Sequence, residues 1–388
     1  MPNKNPFKAS SGTTPPLLVG RDDYIEDFTY ALDNGPGTHE RTTLITGTRG
    51  IGKTVLLNHF GDKARERGWF LFEETATPGF VNRLRDQVYQ QIRTLGEGSR
   101  KTLKALNLNI ATLGGVGATF DTLPVHLPNY TLRMALQDLL NFQKQQATHI
   151  RQEPSGILIT VDELHYNVLA ETRNFGAVLQ HLTRDNENIA VAVAGIPSSV
   201  KPILASKEGE NPVTFLRRAN RVELDKVSTD EVRRGLVTPL EATDKSWDTV
   251  ALKMAIDACG GYPFMIQLVG DWCFRYSETN TITPDVAQKG IAKAQRKLGQ
   301  LVHEPALNDL SDIDRTYLLH MAQNEGESST SEIAAKLKKT IQYANTYRTR
   351  LLEAQLIHQT RQGYVDFELP YLREYLREHE ASLILDYT

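Results

Sequence analysis

A glycine-rich run near the start of the chain has the residue types and spacing that grip a phosphate chain. Residues 44–54 read Leu-Ile-Thr-Gly-Thr-Arg-Gly-Ile-Gly-Lys-Thr, an apolar segment followed by G-x-x-x-x-G-K-T. Its glycines let backbone N–H groups point inward, and the helix expected to follow adds a positive N-terminus. Lys53 can reach the β- and γ-phosphates, and the Thr54 hydroxyl can ligate Mg²⁺. The nucleotide is expected to contact Gly47, Thr48, Arg49, Gly50, Ile51, Gly52, Lys53, Thr54 and Val55.

Two acidic residues farther along are suited to metal binding and to the activation of water. Asp162 and Glu163 follow the apolar run 156–161, which is typical of a strand buried on both faces of a parallel sheet. Ligands in such sheets bind at the carboxyl ends of the strands. Asp162 would hold the Mg²⁺ shell, and Glu163 would polarise the attacking water. Ordinary loop acids are the alternative, but the P-loop favours the catalytic interpretation and the pair disfavours a P-loop kinase.

Alternating apolar and amphipathic segments predict an α/β domain that positions both motifs. Besides the apolar run before the P-loop, strands are expected at 69–75, 156–161, 189–195 and 221–224. Helices between them give a parallel P-loop sheet, placed at residues 17–226 after a flexible N-terminal arm of residues 1–16. Within it, residues 96–130 combine alternating leucines with several glycines, which predicts a hairpin or a glycine-rich insertion.

Two smaller units are predicted after the α/β domain. Residues 227–303 read as an all-helical lid whose first helix starts at a capping box, Ser228 to Glu231. Residues 304–388 contain three helix starts, at Ser311, Ser329 and Thr340, and then two short strands around a glycine turn. Three helices and a hairpin predict a winged helix-turn-helix.

The order of these parts resembles the AAA+ ATPases of the origin-recognition and archaeal-initiator type. P-loop, Asp-Glu strand, helical lid and winged helix follow one another over about residues 17–375. Residues 18–21, Leu-Val-Gly-Arg, resemble that family's N-terminal box. The stretches 260–264, 301–306 and 369–378 also resemble a group of bacterial ATP-binding proteins with an origin-recognition-like ATPase domain.

The resemblance implies roles for individual residues. Gly20 and Arg21 would lie at the nucleotide as part of the N-terminal box. Thr54 and Asp162 would bind Mg²⁺, and Glu163 would act in hydrolysis. Arg217 or Arg218 stands where such proteins place an arginine finger, which reaches the γ-phosphate of a neighbouring subunit. Basic residues on a solvated helix are the alternative for these two arginines.

Two features depart from the family pattern. The strand ending at Gly195 is followed by Ile-Pro-Ser-Ser instead of a polar sensor at its end, so that Ser198 is the candidate sensor. Gly261-Tyr262-Pro263 stands where many AAA+ proteins carry a sensor arginine. This G-x-P resembles the signal-transducing STAND ATPases, whose proline helps to bind nucleotide. A slow switch is therefore expected instead of rapid continuous hydrolysis.

The predicted winged helix offers polar groups for DNA, but its overall charge is acidic. Candidate contacts to phosphates and base edges are Lys339, Gln342, Asn345, Arg348 and Arg361. Residues 305–388 hold nine Lys/Arg and thirteen Asp/Glu, which gives 9 − 13 = −4. Because DNA-binding modules are usually basic where they dock, a protein-docking or structural wing stays open beside DNA binding.

Composition limits the remaining choices. A net charge of −3 gives no bulk attraction to nucleic acid or to an anionic membrane. No run of 18 apolar residues and no apolar leader are present, so a cytoplasmic protein without a membrane partner is expected. Cys259 and Cys273 are expected to be buried thiols.

Two functions therefore stay open. One is an ATPase that uses ATP/ADP and Mg²⁺, self-associates in the ATP state and controls binding to double-stranded DNA. The other is a STAND-like switch that retains ADP and docks protein.

Overall fold

The strands that end in the P-loop and the acidic pair lie in one five-stranded parallel sheet. The computed structural model describes residues 4–10, 12–98, 130–150, 154–205 and 214–385. The strands of the sheet are β1 Thr42–Thr46, β2 Phe70–Thr75, β3 Ile157–Asp162, β4 Ile189–Gly195 and β5 Asn220–Glu223. Their order is β2-β3-β4-β1-β5, all neighbours being parallel.

The register of these strands brings the ends of three of them to one edge. Thr46 at the end of β1 pairs with Gly195 at the end of β4. On the other side of β4, Val161 pairs with Val193, so Asp162 follows at the same edge. Because carboxyl ends of parallel strands form the ligand-binding edge, this register places the P-loop beside the acidic pair.

Helices cover both faces of the sheet and divide its core in two. The helices are α1 Asp22–Asp33, α2 Lys53–Glu66, α3 Phe80–Gly98, α4 Leu132–Ile150, α5 Leu169–Arg184, α6 Pro197–Leu204 and α7 Thr214–Arg217. Successive strand side chains point to opposite faces. Ile45 therefore packs with α1 and α2, whereas Leu44 packs with α3, α4 and α5. The predicted insertion at 96–130 falls almost entirely on residues 99–129, which lie outside the described residues.

A helical unit follows the sheet and shares its first core. Its elements are α8 Thr229–Val237, β6 Ser246–Trp247, α9 Thr249–Cys259, α10 Pro263–Tyr276, β7 Thr281–Ile282 and α11 Pro284–Leu298. The predicted cap forms, because the Ser228 side chain accepts a hydrogen bond from the Glu231 N–H. Apolar side chains of α8 to α11 are continuous with those of α1 and α2, so this lid is packed against the P-loop side of the sheet.

The last unit holds helices and a small antiparallel sheet. After a π-helical turn at Gly299–His303, its elements are α12 Glu304–Asn308, α13 Asp312–Ala322, β8 Ser328–Ser329, α14 Thr330–Lys336, α15 Ile341–Glu353, β9 Ile357–Arg361, β10 Tyr364–Phe367 and α16 Leu372–Leu385. Ser311, Ser329 and Thr340 cap their helices as predicted. The sheet order β8-β10-β9 adds a two-residue strand to the predicted hairpin.

The N-terminal residues differ from the flexible arm that the sequence predicts. Phe7 is only 4% exposed and packs against Gly270 of α10. The Asn5 side chain donates to the Asp271 carboxylate at 2.7 Å, and the Lys8 N–H donates to the Gln267 side chain at 3.0 Å. One aromatic anchor and two hydrogen bonds thus fix this polar segment to the lid.

The two cysteines are part of the buried core. Cys259 and Cys273 are buried and unpaired, and burial raises the pKa of the Cys273 thiol to about 12.

Within the described residues no group of three or more His, Cys, Asp or Glu side chains has the spacing of a metal site. Across the same residues, no helix is both long and apolar enough to cross a bilayer.

Candidate nucleotide site

A cavity of about 630 Å³ opens where the sheet edge meets the lid. The P-loop and the acidic pair form its floor, and the lid and N-terminal residues form its other walls. A volume of this size is typical of small-molecule and cofactor sites. Of the residues predicted to bind nucleotide, the cavity wall includes Arg49, Gly50, Gly52, Lys53, Thr54, Val55, Asp162, Glu163 and Pro263.

Close packing explains why the P-loop needs its glycines. A Cβ atom on Gly47 would lie 2.8 Å from the Leu224 carbonyl oxygen and from Ile51, which is itself buried beneath the loop. Gly50 has φ +73°, and its Cβ atom would lie 2.1 Å from the Tyr262 hydroxyl oxygen. Any side chain at these positions would displace neighbours, so the loop backbone is fixed against β5 and the lid. Thr48 is also buried here.

Lys53, the first residue of α2, directs its ammonium group at the loop. Its Nζ donates to the carbonyl oxygens of Gly47 at 2.7 Å and Thr48 at 2.8 Å. Burial lowers the pKa of Lys53 to about 8, and Asp162 opposes this decrease. A phosphate anion in the cavity would favour the charged form, so binding of nucleotide and retention of this proton are coupled.

This coupling predicts a pH dependence of nucleotide affinity. As the pH rises through about 8, Lys53 loses its proton in the free protein, and the affinity for a fluorescent ATP analogue should fall by up to about tenfold per pH unit. Lys53→Arg is the matched control, because guanidinium stays protonated over this range. An equally steep decrease in the arginine variant would assign the effect to another group.

Thr54 and Asp162 form the oxygen pair expected of a Mg²⁺ site. The Thr54 hydroxyl donates to Asp162 Oδ2 at 2.5 Å, and Asp162 Oδ1 accepts from the Glu163 N–H at 2.8 Å. Hydroxyl and carboxylate oxygens are hard ligands of the kind that Mg²⁺ prefers, with further positions filled by phosphate and water. The donor set present therefore fits the predicted ion.

Glu163 has an unusual backbone conformation for its residue type. Its φ is +54°, in the left-handed region, and its side chain is exposed at the cavity. A non-glycine residue held there costs about 1–2 kcal/mol, and such strain gathers at functional sites. The turn directs the carboxylate away from the buried strand and toward the space over the P-loop.

The lid contacts the P-loop backbone directly. Tyr262, which is 1% exposed, donates a short hydrogen bond to the Arg49 carbonyl oxygen. Pro263, the first residue of α10, lines the cavity, and its role in nucleotide binding stays a prediction. On the opposite side, the Arg49 guanidinium forms a 2.6 Å ion pair with Asp309, which follows α12. One P-loop residue thus contacts both the lid and the start of the C-terminal unit.

Five predicted contacts lie outside the cavity wall: Gly47, Thr48 and Ile51 of the P-loop, and Gly20 and Arg21 of the N-terminal box. The Gly20 N–H donates to Glu231 at 2.7 Å, and the Arg21 guanidinium donates to the Asp225 carbonyl oxygen at 2.5 Å. These residues join α1 to the lid, while the preceding Leu17, Leu18 and Val19 face the cavity. The N-terminal box thus lies beside the cavity, and its role in binding nucleotide stays a prediction.

The serine that lines the cavity is the residue after the candidate sensor Ser198. Ser199, which is 2% exposed, lines the cavity, whereas Ser198 does not. Because α6 begins at Pro197, adjacent serines point about 100° apart, and only one can face the P-loop. The helix start cannot be located this finely from Ile-Pro-Ser-Ser alone.

Sequence reasoning also missed the N-terminal strap, residues 5–10 and 12–14. Besides its contacts with α10, it is held to the P-loop helix, because the Asn58 side chain donates to the Gly12 carbonyl oxygen at 3.2 Å and to the Thr14 hydroxyl at 3.3 Å. Its cavity-lining residues are Lys8, Ser10, Gly12 and Thr13, with Pro15 just beyond it. The strap thus bridges the lid and α2 across the cavity.

Loosening the strap should accelerate nucleotide release. Phe7→Ala removes the aromatic anchor, and we expect a fluorescent ADP analogue to dissociate about tenfold faster in stopped flow. Lys4→Ala, at an exposed neighbouring position, should dissociate at the wild-type rate. If Phe7→Ala makes the strap sensitive to proteolysis and yet leaves the release rate unchanged, the strap does not retain nucleotide.

The predicted arginine-finger residues lie outside the cavity wall. Arg217 and Arg218 are exposed, and Arg217 Nε donates to the Leu204 carbonyl oxygen at 2.7 Å. An exposed position is required of a residue that acts on a neighbouring subunit, but it is equally typical of a solvated helix end. The finger role stays a prediction.

The candidate DNA contacts divide into two groups. Lys339, Gln342 and Asn345 are exposed at the start of α15. Arg348 donates to the Gln359 side chain of β9 at 2.7 Å, and Arg361 forms a 2.6 Å ion pair with Glu327. Within the described residues, the side chains of the first group form no ion pair or side-chain hydrogen bond, although Lys339 Nζ lies 5.6 Å from the Tyr343 ring centroid.

The parallel sheet and the site at its edge are those of a P-loop ATPase domain. Residues 17–192 match the AAA ATPase domain family, and residues 300–376 match a family described as a domain of unknown function. The chain therefore carries an AAA ATPase domain, as predicted.

Two known proteins are similar to this chain over most of its length. An uncharacterized HTH-type transcriptional regulator of Methanocaldococcus jannaschii is 22% identical over 379 residues, which are 92% of this chain and 88% of the relative. A Walker-type ATPase of Pyrococcus abyssi covers 93% of this chain and 96% of its own at 15% identity, with a TM-score of 0.59. The likeness to the regulator covers most of the sheet domain, the lid and the C-terminal unit. The likeness to the Walker-type ATPase shows the fold.

Proposed function

We propose that the protein hydrolyses Mg²⁺-bound ATP in the cavity under the lid and thereby controls binding of double-stranded DNA by its C-terminal unit. The AAA ATPase domain supports the nucleotide chemistry. The M. jannaschii relative, described as an HTH-type regulator, supports the DNA role. The arrangement of three helices and a hairpin around α15 fits a winged helix-turn-helix.

The residues of the site have complementary roles in this proposal. Lys53 and the P-loop N–H groups bind the β- and γ-phosphates, and Thr54 and Asp162 hold Mg²⁺, which offsets phosphate charge. Glu163 orients a water and accepts its proton as the water oxygen attacks the γ-phosphorus. The bond to the bridging oxygen breaks, and the products are ADP and phosphate.

The contacts of Arg49 link the proposed hydrolysis to a change in conformation. Its carbonyl oxygen binds Tyr262 of the lid, and its guanidinium binds Asp309 at the start of the C-terminal unit. A P-loop that adjusts to a γ-phosphate must move or strain both contacts. The nucleotide state can therefore bias the lid and the C-terminal unit together, as a two-state switch requires.

Further contacts hold the C-terminal unit in the observed arrangement. Lys201 of α6 pairs with Glu353 of α15 at 2.7 Å, and the Tyr371 hydroxyl donates to the Ala258 carbonyl oxygen of the lid at 2.7 Å. The exposed Lys201–Glu353 pair contributes little on its own, because solvent screens it. The buried apolar cluster that the C-terminal unit shares with the lid, which includes Leu318 and Leu372, therefore contributes more to this docking than the ion pair does.

Exposed residues of α15 provide the test of the DNA role. Lys339→Glu combined with Asn345→Ala should weaken binding of a labelled duplex by about tenfold or more in fluorescence anisotropy at fixed salt. Glu378→Gln, at an exposed position of α16, is the control. Equal affinity of the two variants in every nucleotide state would exclude α15 as the DNA-reading helix.

A second candidate, the STAND-like signalling switch, is favoured by the position of Pro263 in the cavity wall. In this alternative the C-terminal unit docks protein, ADP stays bound through purification, and exchange needs a trigger. Retained ADP together with absent DNA binding would select it. In both candidates we propose self-association in the ATP state, with Arg217 or Arg218 reaching the neighbouring subunit.

A further inference from the structure

The lid helix α11 buries a face of small residues against α10. Gly290 is decisive, because a Cβ atom there would lie 2.4 Å from Cys273 Sγ of α10. Ala287, Ala294 and Leu298 complete the buried face. The two helices are therefore in close contact, and exposed side chains of α10 lie beside the outer face of α11.

That outer face carries an uninterrupted row of positive charge. Lys289, Lys293, Arg296 and Lys297 follow one another at i, i+4, i+7 and i+8, the spacing of one helix face. After Asp285, α11 contains no acidic residue. Among the residues that the structure describes, no salt bridge involves any of these four cations, in contrast to most arginines of the C-terminal unit.

An aromatic ring from α10 joins this row. The Trp272 ring centroid lies 5.3 Å from Lys293 Nζ and 4.9 Å from Arg275 Cζ. Arg275 also pairs with Asp271 at 2.8 Å. Cations held against an indole face keep their charge and lose some mobility, which favours contacts to a fixed row of anions. Because its acid partner occupies Arg275, we call the four cations of α11 with Trp272 the lid stripe.

In the described part of the C-terminal unit, many cations are already held by acids. Examples are Arg361 with Glu327, Arg373 with Asp366, Arg377 with Glu325 and Arg350 with Asp314. Phosphate contacts supply most of the affinity of proteins for DNA. Before α15, Lys338 and Lys339 are exposed and form no salt bridge within the described residues, so cations from elsewhere in the chain would add to the phosphate contacts that these two can make.

The lid stripe has the length and the position to provide such cations. From residue 289 to 297 a helix extends about 12 Å, which matches about three to four phosphates along one strand. The helix that carries the stripe also ends at the C-terminal unit, because Gly299, directly after α11, packs against the Tyr375 ring of α16. The four cations of α11 thus belong to the element that leads into the C-terminal unit.

We propose that the lid stripe is a second, sequence-independent DNA surface that binds the phosphate backbone. This proposal rests on the DNA role proposed above and adds a division of labour. The stripe supplies affinity for any duplex, and α15 distinguishes sequences. Because the stripe belongs to the lid, movement of the lid with nucleotide would also move the backbone-binding surface.

Salt dependence provides the experiment. The triple variant Lys289→Gln, Lys293→Gln, Arg296→Gln should bind a labelled duplex about tenfold more weakly, whatever its sequence. The slope of log affinity against log salt concentration should fall by about three. Arg184→Gln, Arg233→Gln, Lys253→Gln removes three exposed cations away from the stripe and is the matched control. Unchanged binding of a fluorescent ATP analogue shows that both variants are folded.

The outcomes separate this proposal from the proposed function. If the wild type binds DNA and the stripe variant matches the control in affinity and slope, the stripe proposal is wrong and the DNA role of α15 stands. If the wild type binds no duplex in any nucleotide state, both DNA proposals are wrong. If the stripe variant loses binding to anionic vesicles but keeps its binding to DNA, the stripe proposal is also wrong, and the stripe is a lipid-binding surface.

Discussion

Glu163→Gln should leave ATP binding intact and slow hydrolysis by about a hundredfold or more. Glutamine keeps the size and polarity of the side chain but cannot accept the proton of the attacking water. The contacts that bind phosphate and metal, through Lys53, Thr54 and Asp162, are unaffected. Phosphate release at saturating ATP measures the decrease, and the affinity for a fluorescent ATP analogue measures binding.

The strained backbone of Glu163 gives this prediction a second readout. Glu163→Gly relieves the left-handed conformation, so it should abolish hydrolysis and yet raise the free energy of unfolding by about 1 kcal/mol. Glu66→Gln, an exposed change on α2, should alter neither quantity. A glycine variant that hydrolyses ATP at the wild-type rate would show that Glu163 is a loop acid without a catalytic role.

Gly50→Ala should separate the lid from the P-loop and weaken nucleotide binding by about a hundredfold. The new Cβ atom would lie 2.1 Å from the hydroxyl oxygen and 2.8 Å from Cζ of Tyr262. Tyr262 is buried at the start of α10, so its displacement moves Pro263 out of the cavity wall. The hydrogen bond to the Arg49 carbonyl oxygen is lost at the same time. Titration of a fluorescent ATP analogue measures the effect.

Two controls separate this clash from simple backbone strain. Gly35→Ala has a similar positive φ, +81°, with no atom within 4 Å of the new Cβ, so it reports strain alone. Tyr262→Phe should cost about 1 kcal/mol of stability in the wild type, because it removes one hydrogen bond. In the Gly50→Ala background the same change should cost nothing. Additive effects of the two substitutions would contradict the contact on which the prediction rests.

Motifs that depend on local chemistry were predictable from the sequence. The P-loop, the strand before Asp162 and the serine and threonine caps each occupy a short stretch in which residue type and spacing determine the backbone. β4 coincides with the predicted strand at 189–195, because a continuous apolar run suits a strand buried on both faces. The hairpin near the C-terminus followed from its glycine turn in the same way.

Features that depend on distant contacts were not predictable. Phe7 is one aromatic residue in a polar segment, and its partner Gly270 lies more than half the chain away. Gly270 has no side chain, and nothing in the sequence of α10 indicates that the Phe7 ring occupies the space beside it. Whether Ser198 or Ser199 lines the cavity depends on the residue at which α6 begins, and a shift of one residue exchanges the two. Arg21 pairs with a backbone carbonyl oxygen, which no sequence pattern marks.

Functional roles beyond the nucleotide site have the same limitation. The acidic balance of the C-terminal unit left a protein-docking or structural wing open beside DNA binding. Only the structure distinguishes Arg348 and Arg361, which already have partners, from Lys339, Gln342 and Asn345, which are exposed. Only the packing of Gly290 on Cys273 brings Trp272 beside the lysines of α11.

The most direct test of the switch is the affinity for double-stranded DNA in defined nucleotide states, measured by fluorescence anisotropy at one salt concentration. The states are ADP, a non-hydrolysable ATP analogue, and Glu163→Gln with ATP. We predict that the two ATP-like states agree and bind about tenfold more tightly than the ADP state. Asp309→Ala, which removes the partner of Arg49, should bind nucleotide normally and lose this difference. Equal DNA affinity of the wild-type protein in all nucleotide states would contradict nucleotide control of the C-terminal unit.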